Sequence, residues 1–472
     1  MDNRNAVWRQ VDLARQRYIE LSDRIWAMPE VCYTEVRSVA EHVAQLKAEG
    51  FRISEKVADI PTAVIGEAGA GGPVIAFLGE FDALPGLSQQ AGVAKHSPIE
   101  PGGHGHGCGH NLLGSAAMLA ATAVKNWLVE HNLPGRVRYY GCPAEEGGAA
   151  KAFMVRAGAF KDADIAITWH SDSFWQVMPP VSLANTRMDF AFTGRAAHAA
   201  ASPELGRSAL DAVELMNVGV NYMREHMPSD ARVHYAILDA GGIAPNVVQA
   251  YAKVRYLIRA RDLHGLTDLV KRVRNIAEGA ALMTETSVVG TVLSGVANLV
   301  GNTPLEQALY QVMDDLGPPP FDDADRDFAR QMQGTLTPQE IAAAWRGVGV
   351  EQREVPLADF TAPLDAPRAL QVGSTDVGDV SWVVPTVQAH APSMAIGTPL
   401  HTWQMVAQGK APAAHKAMVQ VAKAMAALGA RALEDPALIA AAKADLHKRT
   451  GGKYTSPIPA EIGPPLTMSR VG

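Results

Sequence analysis

Apolar positions recur at helical spacing over residues 8–50 (Val11, Leu13, Tyr18 and Leu21, then Val39, Val43 and Leu46), which predicts two helices. Short β-rich runs follow at Thr62–Ile65, Val74–Leu78, Val137–Tyr140 and Ile165–Trp169, with a long helical segment, Leu112–Glu130, among them. Strands alternating with helices predict an α/β sheet covered by helices, and such sheets hold ligands just beyond strand ends. Near Val181 the texture changes. Arg187–Phe192, Val233–Leu238, Val247–Arg261 and Thr286–Leu293 read as strands, with helices at Ser208–Met227 and Leu266–Ala281. This strand-helix-strand-strand-helix-strand order predicts a ferredoxin-like α+β layer, residues 184–298, inserted into a discontinuous unit of residues 1–183 and 299–472. Helices are expected again at Asn302–Leu316 and Pro412–Ala430. The stretch Gly317–Asp365 reads as partly loop, and the segment from Gly451 as an extended tail.

Composition narrows the functional classes. A chain of 472 residues exceeds one ordinary core, which agrees with two units. With 47% hydrophobic and 19% charged residues the chain is not largely disordered. A net charge of -7 and the lack of a basic block argue against nucleic acid as partner. Residues 1–26 have neither the apolar run nor the cleavage site of a secretory signal. The longest apolar run, Ala116–Val124, falls short of the roughly 20 residues a membrane span needs, so no membrane association is expected. Three cysteines (Cys32, Cys108 and Cys142) cannot all pair and fit a reducing compartment, so a cytoplasmic location is expected.

The run Gly102–Asn111 carries the strongest chemical signal. His104, His106, Cys108 and His110 alternate with glycine, which lets the backbone turn tightly enough to gather side chains around a metal. Adjacent carboxylates at Glu145 and Glu146, just after a predicted strand, are costly unless a cation offsets one of them. His170 and the Glu80/Asp82 pair also end apolar strands, and His401 precedes a helix. Several ligand types at several strand ends point to a hydrolytic metal centre. A thiol hydrolase using Cys108 would leave the glutamate pair and most of the histidines idle.

Taken in order, Asp82-Ala-Leu-Pro, Cys108-Gly-His110, Ala144-Glu145-Glu146, His170, Gly194-x-x-x-His198, Asn246-Val-Val and His401 resemble one metallopeptidase family. It holds the aminoacylases, the carboxypeptidase G-type enzymes and the auxin-conjugate hydrolases. The resemblance spans roughly residues 8–430, and the runs 105–114 and 373–382 are most similar to its p-aminobenzoyl-glutamate-cleaving branch. It implies a zinc-peptidase-like catalytic domain, a mixed sheet flanked by helices, with the inserted layer as a lid and dimerisation domain. It implies two divalent ions, Zn or Mn first and Co or Ni as alternatives, on Cys108, His110, Glu146, His170 and His401. Glu145 would then be the catalytic acid/base and Asp82 would orient a ligand. His198 would polarise the scissile carbonyl, and Asn246 and Arg259 would bind substrate. The implied substrate is a small N-acyl or N-aroyl amino acid. A homodimer through the insert is implied, with a hetero-oligomer, in which this chain is one weakly active component, as the alternative. Glu80 stands outside that ligand set, and His104 and His106 have no assigned role.

Overall fold

The structure is a computed structural model that describes residues 3–368 and 373–470. The first strands along the chain are β1 (Arg52–Glu55), β2 (Val64–Ala70), β3 (Val74–Glu80), β4 (Gly135–Cys142), β5 (Ile165–Asp172) and β6 (Gln176–Val177). Four long strands follow, β7 (Ala184–Thr193), β8 (Arg232–Asp239), β9 (Tyr251–Ala260) and β10 (Ser287–Val296), and last comes β11 (Thr386–Pro392). The larger sheet runs β1-β2-β4-β3-β5-β11-β6, with β4, β3, β5 and β11 parallel and the outer strands antiparallel. Its central strand β3 is buried along its whole length and apolar up to Glu80, as expected for a parallel strand covered on both faces.

One face is covered by the helices Asn3–Trp26, His110–His131 and Pro412–Glu434, which share a core with Phe77, Trp127, Trp169 and Met425. The opposite face carries the short helices Ala150–Arg156 and Val377–Val383, around Tyr140, Phe153 and Val380. His110–His131 is long and apolar enough to cross a membrane, but 83% of its most apolar window is buried inside the fold. Burial in a core accounts for that composition.

The strands β10-β7-β9-β8 form a separate antiparallel sheet. Helices Ala209–Met223 and Leu263–Met283 cover one of its faces and enclose an apolar core of their own, with Phe190, Met216, Tyr256 and Val273 fully or nearly fully buried. The strand order and the two helices make this a ferredoxin-like layer.

Several elements differ from the sequence reading. Gly317–Asp365 contains two helices, Asp323–Gln333 and Pro338–Val348, each started by a capping box (Asp322/Asp325 and Thr337/Glu340). Strand β11 carries no alternation because both its faces are buried. The predicted strand start at Val247 moves to Tyr251, because residues 244–250 turn to pair with the Ala197–Arg207 loop. Before the tail, Pro436–Thr450 adds a further helix capped by Asp435. The tail packs back on the fold, where Arg156 donates to the carbonyls of Pro459 and Ile462.

Candidate metal centre

The parallel strands β3, β4 and β5 deliver their carboxyl ends to one crevice. Glu80 ends β3 with Asp82 just beyond it, Glu145 and Glu146 follow β4, and His170 lies near the end of β5. Cys108 and His110 enter from the side, at the amino end of His110–His131. Gly109 makes this possible. Its φ is +76°, and a Cβ there would stand 2.3 Å from the Ser171 hydroxyl, so only glycine lets both flanking side chains face the crevice. His401 reaches the same place from the loop before Trp403–Gln408, with a left-handed φ of 61° and its N–H donated to the Gly107 carbonyl at 2.7 Å.

Two groups of donors meet at Cys108. One is Cys108, His110 and His170; the other is Cys108, Glu146 and His401, the candidate atoms of each lying within 4.8 Å of one another. Cys108 Sγ is 3.3 Å from His170 Nε2, and His401 Nε2 is 3.2 Å from Glu146 Oε2. A third group, Glu80, His110 and Glu145, adjoins them. His110 Nε2 lies 3.3 Å from Glu80 and 3.9 Å from Glu145.

Hydrogen bonds hold these side chains from behind. Asp82 Oδ1 accepts from His110 Nδ1 at 3.0 Å, leaving Nε2 directed into the crevice. Its Oδ2 accepts the Glu146 N–H at 3.0 Å, so one carboxylate fixes both His110 and the glutamate turn. Glu35, fully buried, accepts the Ala144 N–H at 2.9 Å. His170 Nδ1 is bound to the Ser171 carbonyl at 2.8 Å, which presents Nε2 as the free nitrogen.

The electrostatics call for positive charge. Burial, then Glu80, Glu146 and Asp376, raise the Glu145 carboxyl well above the ordinary range. Burial and Glu146 push the Cys108 thiol up. Burial and His110 lower His170 to about 4, leaving it neutral with a free lone pair. Burial disfavours a charged His110, yet Asp82 and Cys108 outweigh it and raise that imidazole. His110 Nε2 and Glu146 Oε1 are buried without a hydrogen-bond partner. Unpaired buried polar atoms, crowded carboxylates and a thiol–imidazole–carboxylate donor set fit divalent transition-metal ions.

The profile of peptidase family M20/M25/M40 matches residues 76–461. The chain belongs to that family. It is 47% identical to one of the two p-aminobenzoyl-glutamate hydrolase subunits of Escherichia coli, over 96% of this chain and 97% of that one. It is 30% identical to a mouse Xaa-Arg dipeptidase, over 91% and 89% of the two chains. A dinuclear metal-binding peptidase from Bacillus subtilis shares the fold at TM-score 0.56 and 17% identity, covering 90% of this chain and 99% of that chain. The family resemblance read from the ordered motifs therefore holds, and the chain is a metal-dependent amide hydrolase of a family with dinuclear members.

The remaining site residues fall into three places. Arg259 lines a cavity of about 140 Å³ together with Glu145, Glu146 and His401. His198 and Asn246 lie together on the exposed rim of the inserted layer, outside that cavity, with the Ala199 N–H donated to the Asn246 carbonyl at 3.0 Å. Of the spare histidines, His104 is exposed and His106 is buried with Nε2 against the Ile25 carbonyl at 3.1 Å, a packing role.

Lys151 and Asp376 have no role in the sequence-based ligand set. Lys151 is fully buried, with Nζ 2.6 Å from both Glu80 and Asp376. The signal was a lone lysine in the apolar run Ala150–Met154, together with Asp376 inside the run 373–382.

Proposed function

We propose that Cys108, His110, Glu146, His170 and His401 hold two divalent ions, with Cys108 common to both sites. The observation that carries this is the pair of donor groups meeting at Cys108. Zn and Mn suit the mixed thiolate, imidazole and carboxylate set best, with Co and Ni as alternatives. When bound, such ions activate water and polarise a carbonyl. Glu145 removes the water proton and delivers it to the departing nitrogen. Asp82 keeps His110 and the glutamate turn in register throughout.

The substrate is an N-acyl or N-aroyl amino acid of the p-aminobenzoyl-glutamate type, cleaved to a carboxylic acid and a free amino acid. Similarity to the Escherichia coli hydrolase supports the class, and Arg259 in the cavity supplies a guanidinium for the substrate carboxylate. Protein reconstituted with Zn or Mn should hydrolyse such conjugates, lose activity to a chelator and regain it with metal. Survival of full activity under chelation, with loss on thiol alkylation, would overturn the reading.

The inserted layer acts as a lid and as the contact with a second copy. Its edge strand β8 exposes Tyr235, Ile237 and Leu238, and the neighbouring helix Ala209–Met223 exposes Leu215, Val218 and Tyr222. An apolar sheet edge of this kind calls for cover. His198 Nδ1 accepts the N–H groups of Ala200 and Ala201, which leaves the proton on Nε2 to donate to a substrate oxygen. In a dimer it serves the partner's site. A hetero-oligomer with a different but related chain is the alternative, since both subunits of the Escherichia coli hydrolase are similar to this sequence. Mixing inactive His198→Ala and Glu145→Gln proteins separates the two. Random exchange in a homodimer should restore about a quarter of wild-type activity, because half the dimers are hybrids with one intact site in two. No recovery after verified exchange of chains would remove His198 from the shared site.

A further inference from the structure

The face of the inserted sheet that meets the catalytic crevice carries Arg187 of β7 and Lys253, Arg255 and Arg259 of β9, with Arg232 of the edge strand β8 opposite Arg259. Asn185, Arg187 and Asp189 follow at alternate positions of β7, so they share this face. Arg259 pairs directly with Asn185 and Arg255 with Asp189, which puts both arginines and Lys253 on the same face of β9. Asp189 neutralises one end of this row: Arg255 Nε lies 2.7 Å and Lys253 Nζ 2.8 Å from its carboxylate.

The other end has no such partner. Among the described residues, neither Arg187 nor Arg259 forms an ion pair. Arg259 Nη1 donates to the Ser374 hydroxyl at 3.0 Å, and Arg187 Nη1 to the Gly147 carbonyl at 3.2 Å. Both are half-buried and both line the cavity that holds Glu145 and His401. A Cβ on Gly147 would stand 3.0 Å from Arg187 Nη1, so the guanidinium lies flat against the turn that presents Glu145 and Glu146. Burial lowers the pKa of each arginine, and Arg255, then Arg259, add to the effect on Arg187. Two desolvated like charges on diagonal positions of one sheet face are unfavourable until anions arrive.

We propose that Arg187 is a second carboxylate anchor, which with Arg259 selects a leaving amino acid that bears an acidic side chain. One guanidinium takes the carboxylate next to the cleaved amide and the other takes the side-chain carboxylate. A basic side chain would meet the second cation instead. The inference rests on the amide-hydrolase reading above and adds its specificity. One alternative role for Arg187 is purely structural, as a tie between the inserted layer and the Gly147 turn.

The experiment uses metal-loaded full-length protein and p-aminobenzoyl-glutamate beside p-aminobenzoyl-glutamine, which differ only in the side-chain charge. Wild type should favour the glutamate conjugate by about 30-fold or more in kcat/KM, since a site built for a charged group rejects the analogue that lacks it. In Arg187→Gln the ratio should fall below about 3, mainly through KM for the glutamate conjugate, with partial return in Arg187→Lys. A wild type without preference, or a variant that loses both substrates equally, overturns the proposal. If neither conjugate is hydrolysed, the functional reading fails. Calorimetry of free glutamate and glutamine then decides on Arg187. Weaker glutamate binding in Arg187→Gln alone supports the anchor, and unchanged binding removes it.

Discussion

Glu145→Gln should lower kcat by about 10²- to 10⁴-fold while metal content stays at the wild-type level. The expectation comes from the way the turn is built. Ala144 takes a left-handed φ of 55°, its N–H is held by Glu35, and the N–H of Glu146 is held by Asp82. The Glu145 backbone is therefore fixed from both sides, and glutamine can occupy the same volume. The side chain, only 11% exposed, projects toward His110 Nε2 at 3.9 Å. Glutamine keeps the shape and loses the ability to exchange a proton, so binding survives and turnover does not. The pH profile adds a second readout. Burial and the surrounding carboxylates raise the Glu145 carboxyl in the metal-free chain and bound cations lower it; a base acts only when deprotonated, so activity should climb with pH along an acid limb set by this group. This acid limb should disappear from the residual activity of the variant. Metal analysis supplies the opposing outcome: a variant that loses metal with activity would make Glu145 a ligand, through the adjoining group it forms with Glu80 and His110.

Much of this site was legible because its residues sit at places that primary structure marks. Cys108 and His110 are separated by a glycine at a helix start, and Glu145 and Glu146 follow a β-rich run. Periodicity located both sheets where one face was polar, as in β7 and β9 with their alternating burial. It failed for β11, which is buried on both sides, and for the short helices between 317 and 365, whose capping boxes are local signals that outweigh a weak pattern. Among the histidines, the family resemblance alone set His104 and His106 aside, and for His106 three dimensions give the reason. His106 lies two residues from Cys108, yet the turn sends it back to the Ile25 carbonyl. Arg187 and Lys151 were hidden for a different reason: their significance lies in which charges are missing or doubled around them, and chain order does not record that.

Lys151→Met should cost about 3–5 kcal/mol of folding stability, the largest structural effect expected of a single substitution near the site. Methionine is unbranched, one atom shorter than lysine, and fits the apolar helix, so most of the loss comes from charge. Lys151, Glu80 and Asp376 have side chains 0%, 3% and 0% exposed, and the ammonium lies between the two carboxylates. A second bond, from the Lys151 N–H to Asp376 Oδ2 at 2.9 Å, ties Ala150–Arg156 to the amino end of Val377–Val383. One ammonium cannot fully offset two buried acids. Burial raises both carboxyls; Lys151 nevertheless holds Glu80 below its usual range, whereas Asp376 is pushed up to about 6. Without the lysine both acids favour the protonated form. The sign follows from linkage: a lowered Glu80 pKa contributes stability that is present above its unfolded value and lost on acidification, and the variant lacks that contribution. Raised pKa values in the variant instead make acid stabilising, so its deficit should be greater at pH 8 than at pH 5 in urea unfolding. Adding Glu80→Gln and Asp376→Asn to Lys151→Met should recover most of the loss, because neutral amides remove the unpaired buried charges. A deficit independent of pH and unrelieved by the amides would mean that lysine's packing, not its charge, holds these two helices together.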